Sequence, residues 1–236
     1  AYTDNYIGNA TSIARRDTVL PGGLILLQGS KLTRPVNLDG NWNLQSYLTY
    51  GLPVSYIKCN LNISGGGGYI RIPGLVNDRI NYSNTYNFSG GVVLSSNISE
   101  KLDFKLSYTP NYNIVKNTIQ PQSDNNYLIQ TTSVKANWQP WKGLVLGSDI
   151  SRFQYSGLGT LFNQDILLWN ASIGYKFLKN EAADFRLIVF DILGQNNSIN
   201  RIVTETYIEN NQTQVLRQYF MAVFTYTIRN FKAKQD

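Results

Sequence analysis

From about residue 40 onward, apolar and polar side chains alternate one for one. Ile57, Cys59, Leu61 and Ile63 interleave with Lys58, Asn60, Asn62 and Ser64. Leu102, Phe104, Leu106 and Tyr108 interleave with Asp103, Lys105, Ser107 and Thr109. Leu167, Trp169, Ala171, Ile173, Tyr175 and Phe177 share one parity, as do Phe220, Ala222, Phe224, Tyr226 and Ile228. A period of two places one set on each side of an extended chain, so the pattern predicts strands with one greasy and one wet face. No segment carries a sustained helical period. About ten strands are predicted, near 23–34, 40–53, 56–68, 83–96, 101–112, 126–138, 143–155, 165–178, 184–193 and 216–230. Residues 1–22 read as an irregular segment or a partial strand, 23–231 as the strand region, and 232–236 as a polar tail.

Alternation alone fits a soluble β-sandwich as well as a membrane barrel, because both bury one face and wet the other. Three features favour the barrel. The strands are long, whereas a tilted strand needs about 9–11 residues to cross a bilayer. Short connections near 53–55, 96–101, 139–142 and 179–183 alternate with long ones near 69–82, 110–125, 156–164 and 194–216, as small turns alternate with larger outside loops in an up-and-down barrel. Aromatics flank the apolar bands: Trp42, Trp138, Trp141, Trp169, Tyr175, Phe177 and Tyr226 form an expected girdle at headgroup level. The expectation is therefore an all-β, antiparallel up-and-down transmembrane β-barrel, with a soluble sandwich as the alternative.

Composition supports polarity without charge. Only 15% of residues are charged, while aromatics reach 13%. Lys58, Lys105, Lys135, Asp149 and Lys176 fall on the polar parity, which spares them a lipid-facing cost of about 2–4 kcal/mol near the midplane. Arg152 breaks that parity near a strand end. The net charge of +6 is scattered, so nucleic-acid binding is not expected. The chain has no His and one Cys, Cys59, which removes the commonest general base and metal ligand and any intrachain disulfide. Neither an enzyme nor a cofactor or metal site is expected. Gly65–Gly68 lacks the Lys-Ser/Thr of a phosphate loop. Asp191, where an apolar band fades into a loop, is expected to make a structural hydrogen bond. Tyr69, Arg71, Asp78, Arg79 and Tyr82 in one expected loop, with Tyr112 and Lys116 in the next, are candidates for an outside recognition surface.

The segment from Gln218 to Arg229 (QYFMAVFTYTIR) ends the pattern, with Phe220, Phe224, Tyr226 and Ile228 at alternate positions. It resembles the C-terminal strand that the barrel-assembly machinery reads in outer-membrane barrels. Together with Pro35–Trp42 (PVNLDGNW), Leu168–Phe177 (LWNASIGYKF), Phe190–Asn196 (FDILGQN) and Arg217–Met221 (RQYFM), it resembles the C-terminal barrel region of TonB-dependent-receptor-like proteins of the Bacteroidetes type. The resemblance spans about residues 35–231. It implies the bacterial outer membrane, lipid contact and substrate uptake. It also implies a larger barrel with a plug, so the chain reads as a fragment or as a reduced barrel. A scaffold barrel within an outer-membrane assembly, beside a surface lipoprotein, is the alternative function.

Overall fold

The computed structural model describes residues 1–23, 25–96, 99, 101–159, 163–196, 198–203, 208–213 and 215–228. Five short strands come first: β1 (Tyr2–Thr3), β2 (Tyr6–Ile13), β3 (Thr18–Val19), β4 (Ile25–Leu26) and β5 (Lys31–Leu38). Seven long ones follow: β6 (Asn41–Val54), β7 (Cys59–Val76), β8 (Arg79–Ser96), β9 (Leu102–Asn117), β10 (Asn125–Trp138), β11 (Leu144–Ser156) and β12 (Gln164–Phe177). Then come β13 (Ala183–Phe190), a hairpin of β14 (Ser198–Val203) and β15 (Ile208–Thr213), and β16 (Tyr219–Tyr226). β6 to β13 each pair with their chain neighbour, antiparallel, and β16 adds to β13. The result is a meander of nine principal strands.

The strands from β6 to β12 run 13 to 18 residues, and β7, β8 and β9 are longer than the sequence pattern suggests. The stretch 69–82, expected as a loop, is a continuous hairpin: β7 and β8 pair to Val76↔Arg79. Asn77 and Asp78 turn the chain at φ 49° and 61°, a left-handed pair that suits the twist of a two-residue hairpin and that Asn and Asp tolerate. The expected loop 110–125 shrinks likewise, since β9 runs to Asn117. At the N-terminus, no single strand covers 23–34: β4 and β5 fall within it, with Gly29 at φ 86° between them. β2, inside the segment read as irregular or as a partial strand, pairs with β5 along its whole length. β2 also lies parallel to the tip of β7, at Ala10↔Leu75 and Thr11↔Val76. β16 is shorter than expected and Ile228 lies past its end; Arg229 and the tail 232–236 lie outside the described residues.

The sheet is open. Its order runs linearly from β6 to β16, and β6 carries only β1 on its outer edge, at Trp42 and Asn41. A closed barrel is thus not what the described residues form. They do not form a sandwich either, because β3–β4 and β14–β15 are separate two-stranded hairpins and no second large sheet exists among the described residues. The accessible surface of 15907 Å² makes the point quantitatively. A compact soluble monomer of this mass exposes about 10,700 Å².

Register fixes the strand tilt. Asn60, Ser95, Lys105, Lys135, Asp149 and Asn170 are successive partners from β7 to β12. Asn60 is one residue from the lower end of β7, whereas Asn170 is seven from the lower end of β12. The hairpin ends therefore step by six residues over five strand spacings. With a rise of about 3.3 Å per residue and a spacing of about 4.8 Å, the strands lean about 40° from the axis perpendicular to the line of turns, within the range of about 35–45° that barrels adopt.

Candidate functional site: the two faces of the sheet

Following cross-strand partners sorts every residue onto one of two faces. The first joins Leu48, Ile63, Val92, Tyr108, Thr132, Arg152 and Leu167 with their neighbours two residues along each strand. It continues through Ile173, Leu187 and Ala222 to β16. Up to the level of Tyr69 and Tyr86 this face is mainly apolar, and it is bare: Leu48, Phe88 and Phe220 expose 74%, 53% and 75% of their surface.

Heights on this face follow from register and tilt. Trp138, Tyr175, Phe177 and Tyr226 fall within about 7 Å of one another near the short-turn end. Trp42, Tyr69, Tyr86 and Tyr112 fall within about 3 Å of one another, about 22 Å higher. Trp169 sits a little below the upper row, its Nε1 donating to Ser148 Oγ at 3.1 Å. Trp141 is in the turn between β10 and β11 and belongs to neither row. Tyr69 and Tyr112, expected in outside loops, are thus strand residues of the upper row. Tyr69 packs against Tyr86 with the rings tilted and their centroids 5.1 Å apart, and its hydroxyl donates to Asn84 Oδ1 at 2.7 Å. Tyr86, the missing member, was hidden in the alternating run 85–95. Of the other loop candidates, Arg71 and Tyr82 lie on this face above the row, Lys116 near the end of β9, and Asp78 and Arg79 at the β7–β8 tip. In β16, Phe220, Phe224 and Tyr226 all lie on the apolar face.

One ion pair sits on the apolar face. Arg152 Nε donates to Asp165 Oδ1 at 2.8 Å and Nη2 to Oδ2, a bidentate pairing. It explains why Arg152 can break the parity: its charge is neutralised by a carboxylate on the next strand.

The second face is polar. Asn87 Nδ2 donates to Asn111 and Asn113 at 2.8 and 2.9 Å, and Ser107 and Ser133 meet at 2.6 Å. Near the short-turn end the face becomes charged, with Lys135–Asp149 at 2.8 Å and Arg186–Asp184 at 3.2 Å. Lys105, Lys135, Asp149 and Lys176 lie here as expected; Lys58 does not, since it turns the chain between β6 and β7 at φ 49°. In the upper half, a cavity of about 460 Å³ is lined by Gln45, Tyr47, Gly68, Thr85, Asn87, Asn113 and Tyr127. Its polar lining is neutral, amide and hydroxyl. Gly66 is needed beside it, because a Cβ there would lie 2.7 Å from Ser46 O and 2.8 Å from Tyr47 Cδ2.

Above this cavity the polar face closes over a small core. Leu158 is buried against Val115 and Tyr127, with Ile129 and Tyr155 around them. The turn after β11 folds inward to bring it there. Gly157, at φ 81° and with its Cβ position 2.2 Å from Asn126 O, permits that path. Asp191 is 3% exposed; its carboxylate accepts from the Gln195 and Asn196 amides at 3.0 and 2.9 Å, and its own amide donates to Asn170 Oδ1 at 2.9 Å. It holds the turn that leaves β13.

These observations define an all-β, antiparallel, up-and-down sheet with one bare apolar face and one polar face. Comparison with protein-family models, with curated proteins and with solved structures finds no match for this chain.

Proposed function

We propose that the sheet is part of the wall of a bacterial outer-membrane β-barrel, of the TonB-dependent-receptor-like kind that takes up substrates. The observation that carries the reading is the bare apolar band bounded by two aromatic rows about 22 Å apart, close to the band of about 25 Å that outer-membrane barrels present to lipid. In water such a face exposes far more contiguous apolar surface than a soluble monomer tolerates. Against acyl chains it costs nothing, while the inner strands satisfy their backbone groups through their neighbours and the β6 and β16 edges leave theirs for further strands. The polar face then lines the interior, and its neutral cavity lies toward the outer side.

Strand direction supports a wall of more strands than these. Eight antiparallel steps separate β6 from β16, so these two strands run the same way, and the outer edge of β6 is covered only at Asn41 and Trp42, by the two-residue β1. An antiparallel seam between them needs an odd number of further strands, and bacterial barrels of a single chain carry an even total.

The test is extraction and migration. The protein is expected to leave the outer-membrane fraction only with detergent and to migrate faster unheated than heated on a gel. Release into buffer without detergent refutes the wall. Uptake is tested separately by deleting the gene and following growth on single nutrients. Unchanged growth on all of them, with loss of a co-purifying outer-membrane protein, favours a scaffold.

A further inference from the structure

Just above the upper aromatic row, the apolar face carries a cation with no ion-pair partner among the described residues. Arg71, Asn84 and Lys116 are direct register partners on β7, β8 and β9. They lie about 4–10 Å above the row of Tyr69, Tyr86 and Tyr112, on the same side of the sheet. The Arg71 guanidinium carbon stands 3.7 Å from the centroid of the Tyr82 ring. Gly40 leaves room beside that ring, since a Cβ there would stand 3.4 Å from its Cε1. Asn84 is committed: it accepts from Tyr69 and donates to the carbonyls of Tyr82 and Lys116. Lys116 is paired with Asp124 at 3.1 Å. Arg71 takes part in no ion pair among the described residues, and its buried Nε has no hydrogen-bond partner.

An unpaired cation on the outer side of a wall is costly among acyl chains but not at headgroup level, where phosphates are its natural counter-ions. A guanidinium flattened on an aromatic ring presents its remaining N–H groups as a planar fork, the geometry that grips a phosphate through two oxygens. We propose that Arg71, seated on Tyr82, binds the phosphate of an anionic lipid headgroup. The proposal rests on the membrane-wall reading and goes beyond it by assigning a lipid site. It makes one point on the wall a fixed lipid position rather than a greasy surface.

The experiment counts lipids retained by the protein. The protein is placed in nanodiscs of phosphatidylcholine containing phosphatidylglycerol, and the lipids that survive transfer to the gas phase are identified by native mass spectrometry. Heat-modifiable migration is scored first. If the unchanged protein fails it, the wall reading falls and takes the site with it. With that passed, phosphatidylglycerol is expected to be enriched on the unchanged protein, and Arg71→Gln is expected to lower the enrichment about fivefold, the factor for one basic group at a membrane surface. Arg71→Lys, which keeps the charge and loses the fork, falls between. Lys116→Gln has a smaller effect than Arg71→Gln. Equal enrichment in Arg71→Gln and the unchanged protein overturns the site. A second arm adds inorganic phosphate to the detergent-solubilised protein. If phosphate binds through Arg71 there while phosphatidylglycerol shows no enrichment in nanodiscs, the ligand is a soluble anion and the lipid assignment is wrong.

Discussion

Val134 offers a sharp test of which solvent the apolar face meets. It lies near mid-height between the aromatic rows, on the central strand β10, with Leu106 and Ile150 as its cross-strand partners. It is 40% exposed in the isolated sheet. If water covers this face, Val134→Arg is an ordinary surface change and shifts stability by no more than about 0.5 kcal/mol. If acyl chains cover it, the guanidinium is forced into the hydrocarbon midplane at about 2–4 kcal/mol. That shifts the folding equilibrium by about thirtyfold to nearly a thousandfold. Urea unfolding from phospholipid vesicles, followed by tryptophan fluorescence, resolves such a difference. Two controls fix the interpretation. Leu128→Arg, on the same face and strand but level with the upper row, is expected to cost only about 0–1 kcal/mol. Thr131→Lys, pointing to the polar face, is expected to be close to neutral. A Val134→Arg variant as stable as Thr131→Lys refutes the assignment of the two faces.

Three further outcomes are expected. Gly66→Val brings a side chain into Ser46 O and the Tyr47 ring and is expected to destabilise by about 1–3 kcal/mol, whereas Gly65→Ala, with nothing within 4 Å of its Cβ position, leaves the unfolding midpoint unchanged. Asp165→Leu strands the Arg152 charge on the apolar face; adding Arg152→Leu is expected to recover stability, and a double variant no more stable than Asp165→Leu alone argues against pairing. In the turn after β9, burial acts to raise the Asp124 carboxyl, but the Asn117 amide at 2.7 Å and the Lys116 ammonium outweigh it and hold the group below its usual range. A depressed carboxyl stabilises fully above its unfolded value of about 3.9 and loses that contribution as pH falls through the folded value. Hydrogen exchange at the Asn117 amide, corrected for its intrinsic rate, is therefore expected to lose protection in acid, and Asp124→Asn removes that pH dependence.

Where the alternation of apolar and polar residues is uninterrupted, the sequence was readable. Leu102–Tyr108 and Leu167–Phe177 announce β9 and β12 without ambiguity, because every second residue meets the same solvent. The pattern fails above the upper aromatic row for a physical reason: the faces exchange character. Ile70, Ile72 and Val76 of β7, Val115 of β9 and Tyr127 and Ile129 of β10 all lie on the polar-face side, where Leu158 covers part of them. On the other side stand Arg71, Asn84 and Lys116. A parity that inverts midway reads as no parity, so the β7–β8 hairpin looked like a loop. Asn77-Asp78 was the overlooked signal of its two-residue turn. The pairing of β2 with β5 was hidden because β2, with Gly8, Asn9, Thr11 and Ser12, offers no apolar stripe. The lone cation at Arg71 depends on the register of three strands and on what Lys116 and Asn84 already hold, which no linear reading supplies.

Because each principal strand leans on its immediate predecessor, with only β16 skipping over the β14–β15 hairpin, the pieces that must find one another are always close along the chain. Such a layout needs little long-distance searching and suits fast, stepwise growth. At every intermediate stage a single growing margin, carrying unsatisfied amides and carbonyls, waits for its next partner, and the hazard of that exposed margin is greatest before the last arrival. The order of this sheet is therefore written into its connectivity, with the departures confined to β1 against β6, β2 against β5 and β7, and the late return of β16.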